Sequence, residues 1–413
     1  MVVTGVGAIT PLGGDAASTW AGLLAGRCGV RVLEDEAFAE LPVRVAAPAA
    51  VDPAERLSRT QVRTMNRSAQ FAVLAAREAW ADAGFGPMEA PDGEIDAKRV
   101  GVSMGTIIGG APVLVAADQI LTTRGVRFVS PHTAPMVVPN GAAAQVAIDI
   151  GARGEARTVV AACASGTEAI GQAIDRIRHG HVDVVLAGGT EAVITPTVMA
   201  SFIAMRALSP AKDGPDAASR PFDKARDGFV LGEGAGLLVL EAEDHARIRG
   251  ARIYCEAAGW GISADAHHMA APRPDGDGIV DAIRKALADA HADPGNVVHI
   301  NAHATATPSG DTAEAVALHK VFGADPRVPV TAPKGAVGHM QGAAGGVEAI
   351  ITVLTLHHGL IPPTVGCDDP DDDIALDIVT GSPRPLPGTG DLALSTSYGF
   401  GGHNAVLAFR RTA

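Results

Sequence analysis

The chain is poor in aromatic residues and carries fewer positive than negative charges. Phe, Trp and Tyr make up 4% of its 413 residues, and 33 Lys and Arg stand against 46 Asp and Glu, a formal charge of −13. Proteins that bind nucleic acid need a basic surface, so the composition argues against a nucleic-acid partner. Hydrophobic residues at 47% and charged residues at 19% are typical of a folded globular protein.

Segments that would direct the chain to a membrane or to an oxidising compartment are also lacking. No apolar run reaches the roughly 18 residues of a spanning helix, and residues 2–5 (VVTG) lack the basic region of a signal peptide. The four cysteines, at 28, 163, 255 and 367, form no CxxC pair, so neither a disulfide framework nor a zinc ribbon is expected. We predict a cytoplasmic protein with free thiols, no membrane contact and no bound metal.

Motifs for nucleotide cofactors are missing as well. Residues 5–7 (GVG) lack the third glycine of a dinucleotide fingerprint, and the chain contains no GxxxxGK[ST] motif. Residues 101–105 (GVSMG) do match the GxSxG nucleophile elbow. A serine hydrolase that uses Ser103 is therefore an alternative function.

Short apolar runs alternate with amphipathic stretches along the chain, which is the pattern of βα units. The predicted strands span residues 2–6, 100–103, 158–161, 182–186, 237–240, 297–301, 328–332, 392–395 and 405–409. The predicted helices span residues 68–83, 166–178, 278–290, 312–321 and 346–357. In the second of these helices, Ile170, Ile174 and Ile177 share one apolar face. The alternation indicates the α/β class.

A weak internal repeat suggests that the chain is duplicated. In the first half, the strand 158–161 leads into Cys163 and a helix. In the second half, the strand 328–332 leads through Lys334 to His339 and another helix. We interpret this as two related halves, residues 1–250 and 251–413, with a site between them.

Several residues in these segments are candidates for chemistry. Cys163 precedes the small residues that open a helix, where the helix dipole favours a thiolate, although a buried structural cysteine is the alternative. His303 follows a buried-type strand, at the edge of the sheet where functional residues tend to gather. Lys334 and Glu348 lie in an apolar segment, so we expect them to form an ion pair. The glycines of residues 399–402 (GFGG) allow either a tight turn or an anion site.

Taken together, these segments resemble the elongating β-ketoacyl-acyl-carrier-protein synthases (synthase II), which have the thiolase-like fold. The resemblance runs from residues 2–13 through Cys163 and residues 220–229 (RPFDKARDGF) to residues 399–404 (GFGGHN). It depends on the cysteine followed by the motifs HxTxTxxGD and KxxxGHxxGAAGG. It implies an α/β, five-layered αβαβα arrangement of two duplicated halves, and His403 is similar to the actinobacterial branch of the family.

The resemblance implies a decarboxylative Claisen condensation of malonyl-acyl-carrier protein with a Cys163-bound acyl chain, in fatty acid elongation. Cys163 would carry the acyl thioester, and neutral His303 and His339 would stabilise the enolate of the malonyl group through ring N–H groups. Lys334 would set the electrostatics around His339. The backbone N–H groups of Cys163 and Phe400 would form an oxyanion hole. No cofactor is expected, since the substrates arrive on the phosphopantetheine of acyl carrier protein.

Other positions are assigned by the resemblance alone. Asp311 and Glu348 would support the catalytic residues, and Phe400 would gate the site. Substrate-binding residues are expected to be Ile108, Thr305, Thr307, Gly399, Phe400 and Gly401. The residues expected to dock the acidic carrier protein are Arg63, Arg67, Arg124, Arg127 and Arg206.

The sequence departs from the family pattern near the site. Gly335 and Ala336 stand where Ser and Met are common, Tyr398 replaces a usual Phe, and Ala270 replaces a threonine. Because these changes alter the lining of the catalytic site, a type II polyketide ketosynthase paired with a chain-length factor is an alternative. A non-catalytic subunit like the chain-length factor is another, against which Cys163 argues. We expect a homodimer, with a heterodimer as the alternative.

Overall fold

In the computed structural model, which describes residues 1–86, 95–323 and 327–412, strands and helices alternate along the chain. The strands are β1 Val2–Ile9, β2 Arg31–Val32, β3 Val45–Ala46, β4 Val100–Gly105, β5 Glu155–Val159, β6 Val184–Glu191, β7 Gly234–Glu241, β8 Cys255–Ala264, β9 Val297–Asn301, β10 Val330–Thr331, β11 Leu360–Ile361, β12 Arg384–Pro385, β13 Leu392–Gly399 and β14 His403–Arg410. The helices are α1 Ala16–Leu24, α2 Arg59–Thr64, α3 Arg67–Asp82, α4 Ala111–Arg124, α5 Thr133–Val137, α6 Gly141–Ile150, α7 Ser165–Arg178, α8 Pro196–Ala204, α9 Glu243–Ile248, α10 Asp277–Asp289, α11 Pro308–Phe322, α12 Lys334–Val337 and α13 Ala344–His358. Every predicted strand and helix overlaps one of these elements.

The strand β8 was not predicted, because glycines interrupt its apolar pattern. These glycines mark a close approach of helix α10 to the sheet. A Cβ atom at Gly261 would lie 2.3 Å from the Ala282 carbonyl oxygen, and one at Gly259 would lie 2.5 Å from the Ala290 nitrogen. Glycine in a strand can thus reflect a neighbouring backbone and need not end the strand.

Ten strands form one sheet in which each half of the chain contributes five neighbouring strands. The order is β10-β9-β13-β14-β8-β1-β7-β6-β4-β5, and the halves meet where β1 pairs with β8. In both halves the two outermost pairings are parallel, and the two nearest the junction are antiparallel. This repeated order confirms the predicted duplication. The predicted boundary at residue 250 falls between α9 and β8.

The helices complete the predicted five layers. Helices α7 and α13 contact strands of both halves and form the central layer, while α3 and α6 cover the first half and α10, with α11 packed against it, covers the second. The predicted apolar face of α7 lies in the core between the halves. In the described part of the chain, no helix is long and apolar enough to cross a membrane.

Glycines let the two central helices approach each other closely. A Cβ atom at Gly166, in α7, would lie 2.8 Å from the backbone nitrogen of Gly346, in α13. A Cβ atom at Gly345 would lie 2.4 Å from the backbone nitrogen of Thr167. Since both contacts involve the first turns of the helices, the residues that precede α7 and α13 are brought together.

Candidate active site

Cys163 lies in the tight turn between β5 and α7 and faces residues of the second half. The preceding residue, Ala162, has a φ of 48°, a left-handed conformation that is uncommon for residues other than glycine. Cys163 is buried, with its Sγ 3.0 Å from His339 Nε2 and 3.6 Å from Gln341 Oε1. The two segments of the internal repeat therefore meet at the sulfur.

Burial sets the ionisation of the Cys163 thiol. It raises the pKa of the thiol to about 12, while the charge of Lys334 and the backbone N–H groups of Phe400 and Cys163 act to lower it. We expected the helix dipole to favour a thiolate. Burial of the sulfur acts against this expectation, because loss of hydration favours the neutral thiol.

Two buried imidazoles lie next to the nucleophile. His303 follows β9, His339 follows α12, and their ring centroids are 5.5 Å apart with the planes almost perpendicular. Burial lowers the pKa of both histidines well below the usual value, and the positive charge of Lys334 lowers it further. Both imidazoles are therefore neutral, so each ring has one N–H donor and one lone pair.

Lys334 and Glu348 form the ion pair that the sequence predicts. Lys334 Nζ contacts Glu348 Oε1, and the two side chains are 1% and 2% exposed. Burial raises the pKa of Glu348 to about 7, while Lys334 acts in the opposite direction. The pair places a positive charge within reach of Cys163 and both histidines in a region closed to water.

The hairpin between β13 and β14 brings backbone N–H groups to the sulfur. The N–H groups of Phe400 and Cys163 both stabilise the charged form of Cys163. The hairpin can lie this close because residue 399 is glycine: a Cβ atom there would be 2.8 Å from the Ala161 carbonyl oxygen. Gly401, with a φ of 84°, turns the hairpin and donates its N–H to the Met269 carbonyl. Both N–H groups lie close to the sulfur, which the predicted oxyanion hole requires.

A pocket opens from the surface towards His303. Its lining includes Ala270, Gly310, Tyr398, Gly399 and Phe400, and the Phe400 side chain is 37% exposed. Beside Gly310, the hydroxyl oxygens of the half-buried residues Thr305 and Thr307 are 3.0 Å apart.

Ile108 lies in a separate apolar cluster next to His339. The cluster also contains Met199, Phe202 and Phe229. The Phe229 ring packs edge-on against the His339 ring, with 5.4 Å between their centroids. An apolar surface is thus present beside His339.

Glu314 is a site residue that the sequence reasoning missed. This buried carboxylate accepts the backbone N–H groups of His303 at 2.9 Å and Ala304 at 2.8 Å, so it fixes the loop that carries His303. A charged residue on the buried face of α11, three positions after Asp311, was the available signal. Asp311 itself accepts the Phe222 N–H at 2.9 Å, and burial raises the pKa of Asp311 to about 7.

Glu191 was also missed. It ends β6, where nothing in the local pattern marks it. Its carboxylate accepts the N–H of Ile107 at 2.6 Å and the hydroxyl of Thr106 at 3.2 Å, and it lies against Gly342, where an added Cβ atom would be 2.6 Å from Oε2. Glu191 therefore ties the turn after β4 to the turn that follows His339.

Ser103 does not form a nucleophile elbow. It lies within β4, is 2% exposed, and donates its hydroxyl to the Ala169 carbonyl oxygen at 2.7 Å. A nucleophile elbow needs the serine on an exposed turn between a strand and a helix. The alternative of a serine hydrolase is therefore wrong.

The arginines expected to dock a carrier protein are on the surface. Arg63 and Arg206 are exposed, and Arg124 and Arg127 stack on Phe128 with 4.5 and 4.9 Å from guanidinium carbon to ring centroid. Arg67 differs, because Glu233 binds its guanidinium at 2.8 Å and Asp52 at 3.3 Å. Arg67 has little free charge for a partner.

The sequence matches two successive family models. "Beta-ketoacyl synthase, N-terminal domain" covers residues 1–246, and "Beta-ketoacyl synthase, C-terminal domain" covers residues 254–368. The chain belongs to the β-ketoacyl synthase family. A similar relative is the "3-oxoacyl-[acyl-carrier-protein] synthase 2" of Synechocystis sp., with 41% identity over 413 residues, 100% of this chain and 98% of the relative.

Solved ketosynthases have the same fold. The ishigamide ketosynthase/chain length factor is similar with a TM-score of 0.91 and 33% identity, covering 100% of this chain and 99% of the other. The complex of a type II polyketide synthase acyl-carrier protein with its ketosynthase bound to the hexaketide is similar with a TM-score of 0.91 and 30% identity, with the same coverage. These ketosynthases confirm the predicted fold class.

Proposed function

We propose that this chain is a 3-oxoacyl-[acyl-carrier-protein] synthase that lengthens an acyl chain by decarboxylative condensation in fatty acid synthesis. The observation that carries the proposal is the contact of 3.0 Å between Cys163 Sγ and His339 Nε2, beside His303 and the N–H groups of Phe400 and Cys163. Full-length identity of 41% to a synthase of this name supports it.

The first half-reaction moves the acyl group to Cys163. The Cys163 sulfur attacks the carbonyl carbon of the carrier-bound thioester, while an N–H on His339 Nε2, 3.0 Å from the sulfur, stabilises the charge that develops on it. The C–S bond to the carrier breaks, and the carrier thiolate takes the proton that the Cys163 thiol gives up. The N–H groups of Phe400 and Cys163 stabilise the oxyanion, at about 3–4 kcal/mol for one such donor.

The second half-reaction forms the carbon–carbon bond. The malonyl thioester enters by the pocket at His303, and its carbonyl oxygen accepts N–H groups of His303 and His339. The bond between the malonyl methylene carbon and its carboxylate then breaks. Carbon dioxide leaves, and the electron pair becomes an enolate that these two N–H groups stabilise. The enolate carbon attacks the acyl carbon on Cys163, and the Cys163 thiolate leaves and takes one proton from water that enters through the pocket.

The proposal is tested by measuring the complete condensation and, separately, each half-reaction. Cys163→Ala should abolish formation of 3-oxoacyl-carrier protein from acyl- and malonyl-carrier proteins. Cys255→Ala is the matched control and should keep the activity, because it removes a buried thiol that lies away from His303 and His339. His303→Ala should reduce release of carbon dioxide more than acylation of Cys163. Full condensation by Cys163→Ala would overturn the proposal.

We further infer that acyl carrier protein is the partner that brings both substrates, and that the chain forms a homodimer through β5. A solved relative is a ketosynthase in complex with its acyl-carrier protein, which supports the first inference. Strand β5 ends the sheet, and Val160 beside it is 56% exposed. A free sheet edge next to an apolar side chain suits pairing with a second copy.

A polyketide synthase is a second candidate setting. The similarity to the ishigamide ketosynthase/chain length factor favours it, since a chain-length factor would be a heterodimer partner. Assaying the purified chain by itself distinguishes the two settings. If the chain works as a homodimer, it should be active without a second chain. Activity that appears only after a second ketosynthase-like chain is added would favour the polyketide setting.

A further inference from the structure

Glu191 is a fully buried carboxylate for which the reaction above has no use. It ends β6 and accepts the Ile107 N–H at 2.6 Å and the Thr106 hydroxyl at 3.2 Å. Burial raises the pKa of Glu191 to about 7, and these hydrogen bonds act in the opposite direction. A buried carboxylate is costly unless it is hydrogen-bonded, so its position depends on these two donors.

The turn that supplies both donors packs against the chain on either side of Cys163. The Thr106 N–H donates to the carbonyl oxygen of Val159, four residues before Cys163, at 3.2 Å. Glycine at position 105 brings the turn against the start of α7, because a Cβ atom there would overlap the backbone of Ser165. The turn after β4 therefore supports the segment that carries the nucleophile.

The other side of the Glu191 carboxylate faces the turn that follows His339. Gly342 lies in this turn, and a Cβ atom on it would be 2.6 Å from Glu191 Oε2 and 2.9 Å from the Ile107 nitrogen. The same turn reaches the start of α7, since a Cβ atom at Gly166 would lie 2.9 Å from the Gly342 carbonyl oxygen. Glu191 is thus held between the turn after β4 and the turn after His339.

The contact of 3.0 Å between Cys163 Sγ and His339 Nε2 joins the segments that these turns support. The two residues come from different halves of the chain, so their separation depends on how the segments around them pack. Reaction rates depend steeply on such distances, and a displacement of about 1 Å can cost about 100-fold. A carboxylate that lies between both turns is placed to set this distance.

We propose that Glu191 is a positioning residue that keeps Cys163 against His339. Its reach to the Ile107 N–H holds the two turns at the required separation. An N–H on His339 Nε2 stabilises the charge that develops on the sulfur, so loss of the contact should slow every reaction of the thiol. The inference rests on the proposed function where acylation is concerned, whereas alkylation of the thiol tests it without a substrate.

Two conservative variants separate the reach of the side chain from its charge. Glu191→Gln keeps the length and an acceptor oxygen for the Ile107 N–H, while Glu191→Asp keeps the charge but is one methylene shorter. Octanoyl groups on acyl carrier protein are offered to each whole protein, and acylation of Cys163 is followed by intact-protein mass spectrometry. In Glu191→Asp the maximal rate constant should fall about tenfold, at an unchanged half-saturating concentration of carrier protein. Glu191→Gln should stay within about twofold of the wild type.

Glu243→Asp, on the exposed side of α9, is the matched control and should acylate as the wild type does. Alkylation by iodoacetamide, read by peptide mass spectrometry, gives a second measurement in the same proteins. In Glu191→Asp, Cys163 should react about tenfold more slowly, while Cys255, fully buried in β8, should react as in the wild type. A fold that was loosened as a whole would instead expose Cys255 and speed its reaction.

Wild-type rates of acylation and alkylation in Glu191→Asp would overturn the inference. So would a Glu191→Gln protein as slow as Glu191→Asp, because the reach of the side chain would then not matter. Faster alkylation of Cys255 in Glu191→Asp would overturn it as well, since the effect would be general. If no carrier-bound acyl group is transferred to wild-type Cys163 but alkylation still slows as expected, the proposed function fails and the positioning role stands.

Discussion

At the scale of single residues, Lys334 is the charge that most affects the chemistry of the site. Its positive charge lowers the pKa of His303 and His339, although burial is the larger cause for both. Glu348 keeps Lys334 in the interior by pairing with it. Lys334 therefore helps to keep both imidazoles neutral, although it need not touch the substrate.

Replacing Lys334 with Met should raise the pKa of both site histidines, because the charge that opposes imidazolium is removed. Nitrogen-15 NMR of histidine-labelled protein between pH 8 and pH 5 would measure this, with signals assigned by single His substitutions. The two imidazoles should begin to titrate at a higher pH than in the wild type. Glu348→Gln keeps the positive charge and is the control. Unchanged titration in folded Lys334→Met would contradict the role given to Lys334.

The buried histidines also make the stability depend on pH. His299 is fully buried in β9, and burial lowers its pKa to about 3. Below about pH 6.5 the unfolded chain binds a proton at this residue and the folded chain does not, so His299 makes stability fall as the pH falls.

Urea unfolding at pH 7.5 and pH 5 measures this contribution. The loss of stability between the two pH values should be smaller in His299→Leu by about 2 kcal/mol, since each pH unit below 6.5 costs about 1.4 kcal/mol for such a group. The difference between the two pH values is the quantity to compare, because the substitution also changes packing. His181→Leu, on the surface, is the control. An equal loss in His299→Leu and the wild type would contradict a neutral buried imidazole.

At the scale of elements, the short helix α12 positions Lys334. Ser219 Oγ donates to the Lys334 carbonyl oxygen at 2.7 Å, and the Gly29 N–H donates to the Ala336 carbonyl oxygen at 2.7 Å. A Cβ atom at Gly335 would lie 1.8 Å from the Val365 carbonyl oxygen. The departure from the family pattern at residue 335 thus has a packing reason in this chain.

Gly335→Ala should destabilise the protein by about 1–3 kcal/mol, because the new methyl group has to displace a backbone carbonyl. It should also reduce condensation, since α12 would move with Lys334. Chemical unfolding and a condensation assay would measure the two effects. Gly295→Ala is the matched control, as a Cβ atom there meets nothing within 4 Å. Equal free energies of unfolding for the two variants would contradict this prediction, because the Val365 backbone would then move at little cost.

Whether a helix or strand could be predicted from the sequence depends on its length and on how it packs. Helices such as α7 and α10 were predictable because each has one apolar face against a sheet. The strand β10 is only two residues long, shorter than its apolar run of residues 328–332. The positive φ angles of Ala162, Ala304 and Gln341 were not predictable, since contacts with other elements hold such turns, as those of Glu314 hold the backbone of Ala304.

At the scale of the whole molecule, the charge of −13 opposes the binding of an acidic carrier protein. The proposed docking then needs local positive charge, and the exposed Arg124 and Arg127 beside Phe128 are the arginines we propose for it. Arg124→Glu combined with Arg127→Glu should raise the KM for malonyl-carrier protein by on the order of tenfold and weaken its salt dependence. Arg284→Glu, on the exposed face of α10, is the control. An unchanged KM in the double variant would exclude this docking site.

The homodimer proposed through β5 predicts a concentration-dependent molecular mass. Val160→Asp should weaken the dimer, because two copies would bring like charges into an apolar contact. Sedimentation velocity at several protein concentrations would measure it, with Ile248→Asp as the control, since Ile248 is 88% exposed on α9. A Val160→Asp protein that dimerises as tightly as the wild type would place the interface elsewhere.

The sequence by itself determined the α/β class, the duplicated halves, the pairing of Lys334 with Glu348, and the identities of Cys163, His303 and His339. These follow from apolar periodicity, from the cost of isolated charges in apolar segments, and from motifs that are local in the chain. Only the tertiary structure decided that burial favours the neutral form of the Cys163 thiol, that Ser103 is internal, and that Glu191 and Gln341 belong to the site. Each of these depends on burial or on contacts between residues far apart in the chain, which no local pattern reports.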